Sequence, residues 1–243
     1  MSKTRSESSP ISPRDWQPVL DAYQASTPYN YAAIDDFLEP DVSKRLHQEL
    51  IEHPGWRSQA HIGQPLIANM KPDIETISNI AKSIKDCCPS LFGDYELIEH
   101  WALMYPQNAA RKVHADIGVV TLNIWLTPDE YNQDDSGGLI FFDVKRKTDT
   151  QMAGLPKEKL SYLWSEQYVK DHTQGKSVSV SYKCNRALLF DACTFHQTDA
   201  FTFVNKNPES YRINLSLAFD NLKVYQERSG SLKDKMSVKK RDV

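Results

Sequence analysis

Two periodicities divide the chain. Between Asp41 and Glu52 the apolar residues Val42, Leu46 and Leu50 recur at every fourth position. Between Asp73 and Asp86 a second stripe runs through Ile74, Ile77, Ile80, Ala81 and Ile84. Both patterns predict amphipathic helices, because residues three and four apart share one helix face. Pro89 ends the second, since it has no backbone N–H to donate. From Tyr95 onward the apolar segments are short, β-branched or aromatic, and separated by turn residues. This predicts strands over 95–105, 119–126, 138–143, 177–182, 187–191 and 211–219. Helices first and closely spaced strands afterwards predict a mainly β fold with N-terminal helices, its core an antiparallel sandwich or barrel.

The polar stretches set the boundaries. Residues 1–13 are Ser/Pro-rich and too poor in apolar groups to offset the entropy of ordering, so disorder is expected there. A helical support region is expected over 14–94, the β core over 95–220 and a charged tail over 221–243. Within the core, 144–176 is polar and long for a hairpin connection, yet it holds Tyr162, Leu163, Trp164 and Tyr168. Two readings fit it: a lid over a site, or a surface loop with a small satellite core.

Composition narrows the function classes. Of the 243 residues, 40% are hydrophobic and 25% charged, which is ordinary for a globular chain. Lys and Arg number 29 against 32 Asp and Glu, for a formal charge of −3, so no basic nucleic-acid footprint is expected. Apolar runs such as Leu139–Phe142 and Ala187–Phe190 are far too short to span a membrane. No apolar stretch follows the first basic residues, so no secretory leader is expected. Cys87, Cys88, Cys184 and Cys193 show no disulfide-framework spacing, which points to a reduced, cytoplasmic protein.

The candidate chemistry is His114-Ala115-Asp116, then His196, then Arg212. In extended backbone, side chains two apart leave on the same side, so His114 and Asp116 aim at one point. A second imidazole from another strand completes a two-His-one-carboxylate set, which suits Fe(II) and leaves coordination positions open. His196 follows the turn-and-strand segment NRALLFDACTF and is expected at or just past the end of that strand. A His-x-Asp pair also arises by chance, and a single histidine is more often a surface or core residue. The last strand favours the metal reading. Its residues Ile213, Leu215, Leu217 and Phe219 make one apolar face, and Arg212, Asn214, Ser216 and Ala218 make a polar, then small, opposite face. On a solvated sheet Arg212 would be a surface charge. In a ligand-binding barrel it presents a guanidinium to a carboxylate, with an amide beside it. Cys193-x-x-His196 has zinc-like spacing, but no second matching pair exists, so Cys193 reads as a buried free thiol. His47, His53, His61, His100 and His172 have no ligand partner at suitable spacing, and His100 reads as structural.

With these residues the chain resembles the Fe(II)- and 2-oxoglutarate-dependent oxygenases, whose core is a double-stranded β-helix of the jelly-roll or cupin-like kind. The resemblance spans 95–220 and rests on four features: His114-x-Asp116, the Gly137-Gly138 turn before LIFFD, the segment ending in His196, and Arg212 opening the last strand. The stretches NIWLTPDE, SGGLIFFD and CNRALLFDACTFHQTD are similar to a bacterial subgroup of unassigned substrate. The resemblance implies that His114, Asp116 and His196 bind Fe(II) and that Arg212 binds the distal carboxylate of 2-oxoglutarate. Tyr105 matches a position that hydrogen-bonds the same carboxylate, or it is a packed aromatic. Asn123, Thr121 and Asn214 would line the co-substrate pocket. Lys206 is a rival anchor, but it sits in the turn-like VNKNPES. The implied activity consumes O2 and 2-oxoglutarate and oxidises an unactivated C–H bond of a small molecule or peptide, most simply by hydroxylation. With the Asp116 carboxylate present, chlorination is not expected. The rival reading, from a different class, is a non-catalytic cupin-like binding module, and oxygen-dependent succinate formation separates the two.

Overall fold

The computed structural model describes residues 9–58, 66–108, 112–146 and 162–227, the last without the side chains of 162–164. Ten strands form two antiparallel sheets. In chain order they are β1 (Tyr31–Ile34), β2 (Arg57–Ser58), β3 (Ile67–Met70), β4 (Glu96–Tyr105), β5 (Val120–Trp125), β6 (Leu139–Lys145), β7 (Ser177–Val180), β8 (Ala187–Asp191), β9 (Thr194–Thr198) and β10 (Arg212–Asp220). The large sheet has the order β1-β8-β5-β10-β4-β3-β2, and the small sheet β7-β6-β9. This is the expected mainly β architecture, with strands at all six predicted places.

Two helices cover the outer face of the large sheet. In α2 (Pro40–Glu52) Leu46 and Leu50 are buried, and in α3 (Glu75–Cys87) Ile77, Ile80, Ala81 and Ile84 are buried. They pack on Leu122, Ile124, Leu189 and the Ile213/Leu215/Leu217/Phe219 face of β10. Cys88, which precedes Pro89, leaves the helical region at φ −127° and ψ 54°, so α3 stops there as predicted. Pro89 then opens a short helix, α4 (Pro89–Phe92), whose Phe92 meets Phe219 edge-on at 4.8 Å. The inner face of the large sheet packs on the small one through Tyr105, Trp125, Leu188, Phe190, Leu139 and Phe141.

Several expectations need correcting. Residues 9–13 are ordered: Ile11 bridges Leu38 and is buried in the helix-side core, while 1–8 lie outside the described residues. The region 14–94 is not purely helical, because β1, β2 and β3 extend the large sheet at both edges. Each has four residues or fewer, too short to show an alternation. Helix α1 (Gln17–Ala25) also escaped prediction, since it buries no residue fully and lays only Val19, Leu20 and Tyr23 against the core. Residues 222–227 are helical rather than loose, and the Tyr225 hydroxyl donates to Glu99 Oε1 at 2.9 Å; 228–243 lie outside the described residues. The 144–176 segment is shorter than expected at its start, because β6 runs to Lys145. Since β6 pairs with β7, the segment is a hairpin connection. Residues 147–161 and the side chains of Tyr162, Leu163 and Trp164 lie outside the description. The rest forms α5 (Tyr162–His172), whose Tyr168 and Val169 join Val113, Val144 and Phe195 in a satellite cluster. No described helix is long and apolar enough to cross a membrane, and none of the four cysteines forms a disulfide.

Candidate metal centre

The chain crosses between sheets just before His196. It leaves the large sheet at Asp191, turns through Ala192–Cys193, and enters the small sheet as β9. The Asp191 carboxylate caps the turn by accepting the Cys193 N–H at 2.8 Å. His196 therefore lies inside a strand of its own, not at the end of the 187–191 strand. The run ALLFDACTFHQT is apolar on both sides of the turn, so the pattern shows no break. On its free side β9 meets the His114 segment: His114 N–H donates to the His196 carbonyl at 2.9 Å, and His196 N–H returns the bond at 2.8 Å. This exchanged pair puts the two imidazoles side by side, with ring centres 4.3 Å apart. Asp116 comes onto the same site two residues later, as the extended reading of His-x-Asp requires.

Both imidazoles have a defined tautomer. His114 Nδ1 lies 2.8 Å from the Lys112 carbonyl and His196 Nδ1 lies 3.0 Å from the Thr194 carbonyl. A carbonyl only accepts, so each Nδ1 carries the proton and each Nε2 keeps its lone pair. His114 Nε2 is 3.7 Å from Asp116 Oδ1, and His196 Nε2 is 3.8 Å from Asp116 Oδ2. The ligand atoms lie within 4.8 Å of one another, and no other such cluster exists among the described residues. Metal–nitrogen and metal–oxygen bonds are about 2.1 Å, so one ion can be shared across gaps of this size. Phe190 packs edge-on to the His196 ring at 4.9 Å, and Phe141 lies at 5.8 Å, which hold the imidazole in one orientation.

A narrow cavity opens on the triad, and Arg212 lines its far part. Arg212 is 1% exposed. Its Nε donates to the Gly137 carbonyl at 2.8 Å and one terminal nitrogen donates to Asn214 Oδ1 at 3.1 Å. Rings of Tyr105, Phe201, Tyr182 and Trp125 surround the guanidinium at 5.1–6.0 Å. Among the described residues no carboxylate pairs with it. Burial works against its charged form and pushes its pKa down. Gly137 is at φ +85°, and a Cβ there would press to 2.7 Å from Phe201, so only glycine carries the carbonyl that Arg212 uses.

The predicted residues divide clearly. His114, Asp116, His196, Arg212, Tyr105, Asn123 and Asn214 all line the one cavity. Thr121 does not: it is fully buried opposite Ala218, near the start of β5, and its hydroxyl has no partner among the described residues. Asn123 donates to the Ser216 hydroxyl at 2.7 Å, and its Oδ1 is buried without a partner among the described residues. Lys206 is exposed in the loop before β10. His100, facing away from the cavity, sits 3.1 Å from the Pro72 carbonyl, as a structural residue would. Cys193 is half-buried rather than buried and is not among the clustered ligands. His61 lies outside the described residues. Leu103, Leu139 and Thr198 also line the cavity and were not anticipated. Thr198 follows His196 by two positions on a strand and so shares its face; reading β9 as a strand would have found it.

No protein-family model and no curated protein matches the chain. Solved structures do. The non-heme alpha-ketoglutarate-dependent epimerase SnoN from nogalamycin biosynthesis superposes with a TM-score of 0.58 at 15% identity, over 84% of this chain and 81% of that one. A Pseudomonas putida prolyl-4-hydroxylase gives 0.57 at 14% identity, over 84% and 97%. HygX from Streptomyces hygroscopicus, with nickel and 2-oxoglutarate bound, gives 0.54 at 10% identity, over 84% and 86%. The chain therefore has the double-stranded β-helix fold that these oxygenases share.

Proposed function

We propose that this protein is an Fe(II)- and 2-oxoglutarate-dependent oxygenase that hydroxylates an unactivated C–H bond. The observation that carries this is the pairing, in one cavity, of a two-His-one-carboxylate cluster with a buried guanidinium that has no acidic partner among the described residues. A buried charge is costly unless something pairs with it, and a dicarboxylate chelating a metal at its other end would do so.

His114 Nε2, the Asp116 carboxylate and His196 Nε2 would hold Fe(II) and leave positions for the co-substrate and oxygen. Bound iron would supply the oxidative chemistry, in which O2 gives one oxygen atom to 2-oxoglutarate as it is decarboxylated to succinate and carbon dioxide and the other to the substrate C–H bond. The chain's own contribution is binding and exclusion of water. Arg212 takes the distal carboxylate, steadied by Asn214 and the rings around it, and Tyr105 closes the same end. Asn123 lies between Arg212 and the triad and offers its amide to the co-substrate. Leu103 and Leu139 supply the apolar walls. Beside the site, Tyr168 and Val169 of α5 pack with Phe195, the neighbour of His196.

The substrate is a small molecule or a peptide. HygX has been solved with hygromycin B and a Trichoplax adhaerens prolyl hydroxylase with a peptide fragment, so the fold accommodates both. Four cysteines without a disulfide among them fit a reducing, cytoplasmic setting. Oxygen-dependent succinate formation from 2-oxoglutarate on adding Fe(II) is the expected result. A protein that binds both ligands with no turnover, with any candidate substrate, would instead be a binding module.

A further inference from the structure

Asp116 sits on a turn between the His114 bridge and the start of β5, so its carboxylate is only as well placed as the backbone of 116–118. That backbone is held at several points. Asp116 N–H donates to the Ala192 carbonyl at 3.0 Å. Gly118 adopts φ +81°, where a Cβ would close to 2.7 Å on the Phe219 carbonyl. Two carbonyls of the turn face Arg146: its Nε donates to the Asp116 carbonyl at 3.0 Å and a terminal nitrogen to the Gly118 carbonyl at 2.9 Å. Arg146 follows directly on β6 and is 9% exposed. Its own N–H donates to the Cys193 carbonyl at 2.8 Å, in the crossover that leads to His196. One residue thus ties the turn carrying the carboxylate ligand to the segment carrying the distal imidazole.

We propose that Arg146 is a positioning residue for the metal centre, fixing Asp116 through the carbonyls of its turn. The inference rests on the metal-site reading above. A planar guanidinium sets two bonds at a fixed angle, whereas an ammonium can make either one but not the same fork. Geometry and charge here act in opposite directions: a cation nearby repels a metal ion, while a held turn favours its binding. Removing the side chain therefore separates the two effects by sign.

Co(II), titrated into the metal-free protein and followed by its absorption and by calorimetry, is the probe. R146A is expected to bind Co(II) roughly 10–100-fold more weakly, the range found when groups that orient metal ligands are removed. R146K should recover part of that loss but stay weaker than the unmodified protein, by about 3–10-fold. R186A is the control. Arg186 is bound to Asp35 and to the Ser181 carbonyl, away from the cavity. It should lower the melting temperature while leaving the Co(II) affinity within about twofold, as expected of a residue that orients no ligand. R146A binding as tightly as the unmodified protein, or more tightly, overturns the proposal, as does a loss in R186A that tracks melting temperature equally. Should R146A not fold, R146K decides, and unchanged affinity there overturns it. An unmodified protein that takes up no Co(II) overturns the metal-site reading itself.

Discussion

The two faces of β10 are equally buried and chemically opposite. Toward the helices Ile213, Leu215, Leu217 and Phe219 are sealed in a dry apolar layer. Toward the small sheet Arg212, Asn214 and Ser216 are just as hidden, but they form a linked polar row: Arg212 to Asn214 at 3.1 Å and Asn214 to Ser216 at 3.5 Å. The first face stabilises the fold, since each large apolar side chain contributes roughly 1.5–3 kcal/mol on burial. The second is a cost to folding, because desolvating a guanidinium is unfavourable when, as here among the described residues, no carboxylate pairs with it. The strand thus supports the fold with one side and, in the function proposed, presents its polar groups to the co-substrate with the other.

The largest effects are expected where the polar face meets the proposed metal ligands. His196→Ala or Asp116→Ala should abolish Fe(II) uptake and succinate formation while circular dichroism and melting stay near wild type. If His196→Ala keeps its iron and activity, the distal ligand lies elsewhere. Next comes the anchor. Arg212→Ala should weaken 2-oxoglutarate binding to the Fe(II)-loaded, oxygen-free protein by about 30-fold or more, a loss of roughly 2–5 kcal/mol. Lys206→Ala, at an exposed site, should cost under about 1 kcal/mol. A large loss in the Lys206 variant alone would move the anchor to the loop.

Stability should rank the faces the other way. Leu215→Ala is expected to cost about 2–5 kcal/mol in urea unfolding. Arg212→Leu should unfold within about 1 kcal/mol of wild type, because an apolar residue among four rings replaces an unpaired buried charge. Equal losses in both would mean that the polar face is structural after all.

The helix side has its own polar intruder. His47 on α2 is buried, its Nε2 has no partner among the described residues, and burial lowers its pKa from 6.5 to about 4. The unfolded chain takes up this proton first as pH falls. Stability is therefore complete above about 6.5 and lost progressively toward 4, by on the order of 2–3 kcal/mol. His47→Leu should flatten unfolding free energy against pH over that window; an unchanged slope would show that His47 does not carry it. The smallest effect is at the rim. Hydrogen bonding from Arg186 lowers the Asp35 pKa from 3.8 to about 2, so its contribution is present above 3.8 and lost as pH falls through 2. At 42% side-chain exposure that pair should be worth under about 1 kcal/mol, read as the coupling energy of an Asp35/Arg186 double-mutant cycle.

By itself the sequence determined what is written in local periods. The α2 and α3 stripes, six of the ten strands and the division of β10 into apolar and polar faces were all legible, because residues two or four apart keep their relation whatever surrounds them. So was the proximity of His114 and Asp116, two positions apart. The tertiary structure decided everything that depends on where segments meet. The turn at Ala192–Cys193 lies inside an unbroken apolar run, so only the second sheet reveals that His196 belongs to a strand of its own, with Thr198 on the same face. Thr121 and Asn123 alternate identically along β5, yet one lines the cavity and the other does not, since depth along a strand is set by its neighbours. Arg146 stands in a run of charges, VKRK, that reads as a solvated loop. Its burial follows from two carbonyls on a turn 28 to 30 positions earlier. Hydrogen-bond partners at such separation leave no period in the chain, so only the fold brings them to Arg146.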